Sequence, residues 1–249
     1  MEKLRNKVAL ITGASRGIGA GIAKEFASQG VSVVINHLQD FNGANAIVKE
    51  IESHGGKAIA LEGDISNVQD VERVFLEAQN TFGHLDILVN NAGVFPPNAL
   101  ANFSETDFHR TINTNILGNI LCTKESLKYF PASGGSIINL TSVQSKNPIP
   151  EMAVYASTKG AIEVLTMAYA KELAAKNIRV NAIAPGAVET EGTHDRGWFR
   201  SGFNLQIEKM TPLGRMGQPS DIGKVAAFLA SDDSFWITGE RIVASGGLH

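Results

Sequence analysis

The chain has 249 residues, 43% hydrophobic and 19% charged, which is enough apolar material for one sizeable core. A net charge of −3 provides no field to gather nucleic acid or an anionic membrane, and the single cysteine, Cys122, excludes a disulfide-stapled secreted scaffold and a cysteine-based zinc cluster. A cytoplasmic setting fits this composition best, and the 25 glycines, without a collagen period or low-complexity tract, are expected at turns.

The amino-terminal apolar run Val8–Ile11 stops at Thr12-Gly13, short of the ~7–15 residues of a secretory h-region. No later stretch approaches the ~18 apolar residues of a membrane span, so a soluble chain is expected. Short β-branched runs bounded by Gly, Asn or Asp predict strands at Val8–Thr12, Val31–His37, Ala58–Leu61, Leu85–Asn90, Ser136–Thr141, Arg179–Ile183 and Arg241–Ala244. Helical patterns lie between them at Ile18–Ser28, about Ala44–Ser53, Val68–Phe82, about Glu105–Tyr129, Met152–Lys176 and Ile222–Ala230. Ser104-x-x-Asp107 is a helix start, and Gly30 and Gly83 are helix stops. Nearly all-apolar strands alternating with helices predict an α/β fold, a doubly wound parallel sheet of seven strands with helices on both faces. No linker or repeat divides the chain, so residues 1–249 read as one unit. The long segment from Gly186 to about Leu213 is expected to be irregular and to act as a lid or binding loop.

The first strand runs directly into Thr12-Gly13-Ala14-Ser15-Arg16-Gly17-Ile18-Gly19, and a helix follows. Glycines at such a corner let the chain turn tightly, while the helix N-terminus offers free N–H donors and partial positive charge to a phosphate. Ser15 stands where the second glycine of G-x-G-x-x-G belongs, so the corner alone does not distinguish a nucleotide site from a structural turn.

Among three tyrosines, only Tyr155 has a lysine four residues on: Tyr129 is followed at that distance by Ser133 and Tyr169 by Leu173. On a helix, Tyr155 and Lys159 share a face, and a nearby cation favours ionisation of a phenol that otherwise titrates near ~10. Ser142 ends a predicted buried strand, where the carboxyl ends of parallel strands border a ligand crevice. Its context, Leu-Thr-Ser-Val-Gln, is not the G-x-S-x-G of a hydrolase. Thr141 and Ser145 beside it read as structural. Asn115 interrupts a helical pattern that it is expected to distort, with Asn113 a competitor for the same role.

Together these segments resemble the short-chain dehydrogenase/reductase family. The likeness rests on the glycine corner, Asn90-Asn91-Ala92-Gly93, Asn115, Ser142, Tyr155-Ala-Ser-Thr-Lys159 and Pro185-Gly186, in that order, and extends from Lys7 to Gly246-Gly247. It implies an NAD(P)-dependent oxidoreductase with Asn115, Ser142, Tyr155 and Lys159 as the catalytic set. Ser142 and Tyr155 would polarise a ketone, Tyr155 would give its proton, Lys159 would hold the nicotinamide ribose, and Asn115 would hold a water leading to solvent. The cofactor would lie against Gly13, Ser15, Arg16, Gly17, Ile18, Gly19, His37, Asp64, Ile65, Asn91, Ala92, Gly93, Pro185, Gly186 and Val188, as well as Tyr155 and Lys159. Asp64 would face the adenine ring, although an acid ahead of the helix at Val68–Phe82 would also favour its N-terminus.

An acid about 20 residues after the turn holds the ribose hydroxyls in NAD enzymes, whereas an arginine accommodates a 2′-phosphate. Here the second strand ends Ile35-Asn36-His37, without the acid, and Arg16 lies in the corner, so NADPH is expected over NADH; Asp40 and Leu38 weigh against it. Close resemblances within the family are to 3-oxoacyl-[acyl-carrier-protein] reductases and glucose 1-dehydrogenase-like members, and a homotetramer is implied. An idle dinucleotide-binding regulator is the alternative from another class. Trp198, Phe199 and Phe203 could cover a bulky or aromatic ketone, or could equally be packing or a subunit contact. Glu189, Glu191, His194 and Asp195 match no standard metal spacing, and no metal, nucleic-acid or membrane partner is expected.

Overall fold

The computed structural model describes residues 4–96 and 99–248. The chain runs β1 (Val8–Ile11), α1 (Gly17–Ser28), β2 (Ser32–His37), α2 (Phe41–Ser53), β3 (Lys57–Glu62), α3 (Val68–Phe82) and β4 (Ile87–Asn90). It continues through α4 (Glu105–Ile112), α5 (Gly118–Ser126), β5 (Gly135–Leu140), α6 (Ala153–Leu173), β6 (Ile178–Pro185), α7 (Glu191–Asp195), α8 (Phe203–Met210), α9 (Pro219–Ala230) and β7 (Arg241–Ala244). All seven expected strands are present.

The strands form one parallel sheet in the order β3-β2-β1-β4-β5-β6-β7. Its period of two explains the apolar runs. Ala9 and Ile11 of β1 point into one core with Phe26 of α1 and Ile222 of α9, while Val8 and Leu10 point into the other with Phe75 of α3 and Leu173 of α6. Burying each such large side chain contributes about 1.5–3 kcal/mol, so a strand that is apolar throughout is stable only between two helical layers.

Helix starts follow from local chemistry. Asn67 caps α3 by accepting from Asp70 N at 3.1 Å, and Ser104 caps α4 by accepting from Asp107 N at 3.2 Å. Gly83, at φ 88°, ends α3 in the left-handed conformation.

Two expectations need correction. The helix expected over Glu105–Tyr129 is broken by a π turn at Asn113–Leu117, and the segment 186–213 is not irregular throughout, since it contains α7 and α8. The chain reverses its direction of travel across the sheet between β1 and β4. The connections that leave their carboxyl ends therefore depart toward opposite sides of the sheet and leave a crevice, the place where open α/β sheets bind ligands.

Candidate active site

The glycine corner joins β1 to α1 at the edge of this crevice. A side chain at Gly13 (φ 61°) would place its Cβ 2.9 Å from Ala92 Cα, so the corner and the segment after β4 approach each other backbone to backbone. Polar side chains tie the two together. Thr12 Oγ1 accepts from Asn91 N and Ala92 N, each at 3.0 Å, and Asn91 Nδ2 donates to Thr12 O at 2.8 Å and Gly13 O at 3.0 Å. The Asn91 amide is thus committed to bracing the corner from behind.

Asn36 braces the other flank. Ala14 N donates to its carbonyl at 2.9 Å, and Asn36 Nδ2 reaches Gly63 O at 3.0 Å. This residue occupies the strand end where an acid was sought, and its side chain serves the backbone. His37, beside it, is 2% exposed and has a buried Nδ1 without a hydrogen-bond partner among the described residues. Asp40 caps α2 by accepting from Gly43 N at 3.0 Å, so its carboxylate belongs to that helix. Asp64 Oδ1 accepts from Ser66 N at 2.8 Å, while Ile65 fills the space against Gly118. The acid of the first turn of α3 is Asp70, not Asp64.

The catalytic candidates converge on the far side of the crevice. Ser142 follows β5, and Tyr155 and Lys159 lie one turn apart on α6. Lys159 Nζ donates to Leu140 O at 2.8 Å and lies 5.6 Å from the Tyr155 ring centroid. Burial drives the lysine down to about 8. Burial also raises the Tyr155 phenol above its ordinary value, opposed by a hydrogen bond with Ser142 and by the charge of Arg196. Spacing alone suggests a phenolate favoured by Lys159. In this site desolvation wins, and the phenol stays neutral at pH 7.

Asn115 sits in the π turn and is 3% exposed. Its Oδ1 accepts from Val94 N at 2.8 Å, and its Nδ2 donates to Val94 O at 2.9 Å and Thr158 Oγ1 at 3.1 Å. A π turn adds one residue to the helical ring, which swings the Asn115 amide out to the segment that follows β4. The segment after β4 is thereby pinned over α6, and Asn113 takes no part in these bonds.

Pro185 ends β6, Gly186 N donates to Ala244 O at 3.1 Å, and the buried Val188 pairs with Gly217. Beyond them α7 lies across the crevice. Glu191 Oε2 accepts from Gly17 N at 2.9 Å, and Arg16 Nη1 meets Asp195 Oδ2 at 3.3 Å. His194 Nε2 is 2.9 Å from Glu189 Oε1, so the four polar residues of this stretch pair apart instead of facing one metal. Among the described residues no group of three or more His, Cys, Asp or Glu is placed to hold an ion.

Arg196 and Phe95 are site residues that the sequence did not announce. The guanidinium lies 4.0 Å from the Phe95 centroid and donates to Phe95 O, and the Phe95 ring is 5.8 Å from that of Tyr155. The two are 101 positions apart, so no local pattern could join them. Trp198 packs edge-on against Phe203 at 5.2 Å, and Phe199 stacks on His194 at 4.1 Å, so the three aromatics do not form one face.

A dinucleotide fits this crevice on two observations. A Cβ at Gly93 would lie 3.3 Å from Asn115 Oδ1 and 3.5 Å from Lys159 Nζ, so the missing side chain leaves a cradle beside the catalytic candidates. At the other end, the first N–H groups of α1 and the unpartnered His37 Nδ1 border the expected adenosine side.

No helix among the described residues is long and apolar enough to cross a membrane. A family model described as enoyl-(acyl carrier protein) reductase matches residues 13–249. An uncharacterized oxidoreductase of Methylorubrum extorquens is 47% identical over 249 residues, covering 100% of both chains. A hydroxynaphthalene reductase-like protein of Metarhizium robertsii is 40% identical over 259 residues, covering 99% of this chain and 96% of its own. A solved short-chain dehydrogenase/reductase from Serratia marcescens superposes with a TM-score of 0.92 at 33% identity, over 99% of each chain. Fold, ordered motifs and relatives agree: the chain belongs to the short-chain dehydrogenase/reductase family, whose oxidoreductases use NAD(P) cofactors.

Proposed function

We propose that the protein is an NADPH-dependent carbonyl reductase in which Tyr155 is the general acid. The observation that carries this is the convergence of Ser142, Tyr155 and Lys159 beside the Gly93 cradle, with Asn115 fixing the intervening segment. The bound nicotinamide would supply the hydride. The chain's part is to orient the ketone and deliver a proton. Ser142 Oγ and the Tyr155 hydroxyl donate to the carbonyl oxygen as its charge grows, and a phenol held neutral by burial has its proton ready. Once that proton leaves, the phenolate gains from Lys159 and Arg196 the charge stabilisation that the neutral form could not use. Lys159, driven by burial to about 8, can hold or release a proton near neutral pH and so can return one to the phenol.

Arg16 in the corner, the absence of an acid at the end of β2 and the commitment of Asp40 to α2 favour the 2′-phosphate of NADPH over NADH. Phe95, beside Tyr155, favours an aromatic or bulky ketone, in keeping with relatives named hydroxynaphthalene and tetrahydroxynaphthalene reductases. A 3-oxoacyl thioester, a sugar and the reverse oxidation of an alcohol belong in the same substrate panel. Exposed Val164 and Met167 on α6 support self-association through that helix, and we assign a homotetramer to be weighed by light scattering.

The test is NADPH oxidation with fused-ring phenolic ketones, 3-oxoacyl thioesters and sugars. Tyr155→Phe should lower turnover by about 10²–10⁴-fold with its fold intact. Near-normal reduction by that variant refutes the assignment, and cofactor binding without turnover on any substrate favours a regulator.

A further inference from the structure

The lid helix α7 brings two carboxylates to the places where the cofactor's anionic groups would lie. Glu191 Oε2 accepts from Gly17 N at 2.9 Å at the start of α1, and Asp195 Oδ2 meets Arg16 Nη1 at 3.3 Å. Residues 191 and 195 are one helical turn apart and so share a face. The lid is fixed on this register from behind: Thr190 and Thr193 form a reciprocal cap, and Glu189 is held by His194 and Gln218, each at 2.9 Å. Gly17 is also in contact range of the lid, since a Cβ there would lie 3.4 Å from Thr190 Cγ2.

We propose that Asp195 and Glu191 are cofactor-selectivity residues that compete, as internal anions, with the phosphates of the dinucleotide. The inference rests on the NADPH reading of Arg16. A guanidinium already paired with a carboxylate must give up that partner to a 2′-phosphate, and the displaced carboxylate repels the newcomer. Asp195 therefore lowers the affinity for NADPH far more than for NADH, because NADH would carry a neutral 2′-hydroxyl where NADPH carries the phosphate. Glu191 faces the helix pole that would receive the pyrophosphate common to both cofactors, and so weakens both. The present arrangement limits how strongly Arg16 can favour NADPH. It also couples the substrate lid to occupancy of the cofactor site.

Equilibrium binding of NADPH and NADH, followed by nicotinamide fluorescence and calorimetry without substrate, tests this. Both acids are exposed, so Asp195→Asn and Glu191→Gln remove charge with little effect on folding. An exposed ion pair predicts a modest effect. Asp195→Asn should tighten NADPH about 1.5- to 5-fold with NADH unchanged, and Glu191→Gln should tighten both by a common factor. Both gains should shrink in 0.5 M NaCl. An unchanged NADPH-to-NADH ratio in Asp195→Asn, or weaker NADPH binding, overturns the proposal. Arg16→Met separates the two ideas: if it loses NADPH affinity while Asp195→Asn changes nothing, the competition alone is wrong. If Arg16→Met leaves NADPH unaffected, the reading of Arg16 falls and takes the competition with it.

Discussion

Replacing Lys159 by methionine should stabilise the cofactor-free protein at pH 7, and the gain should reverse at high pH. The ammonium is 5% exposed, and burial lowers it from 10.5 to about 8. At ~1.4 kcal/mol per pH unit, holding that charge in the fold costs about 3 kcal/mol. Methionine removes the cost but leaves Leu140 O without the donor that Lys159 provides at 2.8 Å, a loss of about 1–2 kcal/mol. The net expectation at pH 7 is a variant more stable by about 1–2 kcal/mol. The sign of the pH dependence follows from proton counts. Between about 8 and 10.5 the unfolded chain keeps the lysine proton that the native protein has lost, so wild-type stability rises with pH across that window. Below about 8 the cost is fully present. At pH 10 most of it is gone, and the variant should be the less stable by about 1 kcal/mol. Urea unfolding of both proteins at pH 7, 8.5 and 10 measures this, and taking the difference cancels groups common to the two. A variant less stable at pH 7, or a difference that does not change with pH, would refute a buried, strained ammonium.

Two further outcomes bear on the core behind the site. Asn139, fully buried, accepts from Asn90 Nδ2 at 3.0 Å and Asn119 Nδ2 at 2.9 Å, so Asn139→Ala should cost about 2–4 kcal/mol and lower the Tm by about 5–15 °C; a drop under 2 °C contradicts the network. The Cys122 thiol is pushed well above its usual range by burial and by Glu125, so native protein should resist maleimide at pH 7 and react fully once unfolded, whereas rapid native labelling would place the residue outside the core.

The sheet was readable because its strands are short, mostly apolar and bounded by turn residues, a pattern that burial between two layers explains. The corner was readable for a related reason: Gly13 needs both a left-handed φ and a close backbone approach, and no other residue supplies both. Local signals failed where structure depends on distant partners. In α7 the run Glu-Gly-Thr-His-Asp has no apolar period, and its order comes from a Thr–Thr cap and from contacts to Gly17 and Arg16 across the crevice. The distortion expected at Asn115 was found, but its form, a π turn paired to Val94, follows from a loop after β4 that lies 21 residues away. Arg196 was invisible because its meaning comes from Phe95 and Tyr155, not from its neighbours in the chain.

Tyr155, Lys159 and Glu163 repeat every four residues along α6, but Glu163 serves structure where the first two face the crevice. Its Oε1 accepts from Arg241 Nε at 2.5 Å and from Ser145 Oγ, while Arg241 Nη2 donates to Ser142 O at 3.3 Å. This mostly buried ionic network locks the turn carrying Ser142 to the helix carrying Tyr155 and to β7. Breaking such a network by removing one partner costs about 3–5 kcal/mol, so the spacing of the two hydroxyls is stiff. Helix α7 is held instead by exposed pairs such as Arg16–Asp195, each worth under about 1 kcal/mol. The Ser142–Tyr155 pair is therefore fixed by interactions several times stronger than those that hold α7. A sterically different ketone should be accommodated by movement of the lid, with the Ser142–Tyr155 geometry unchanged.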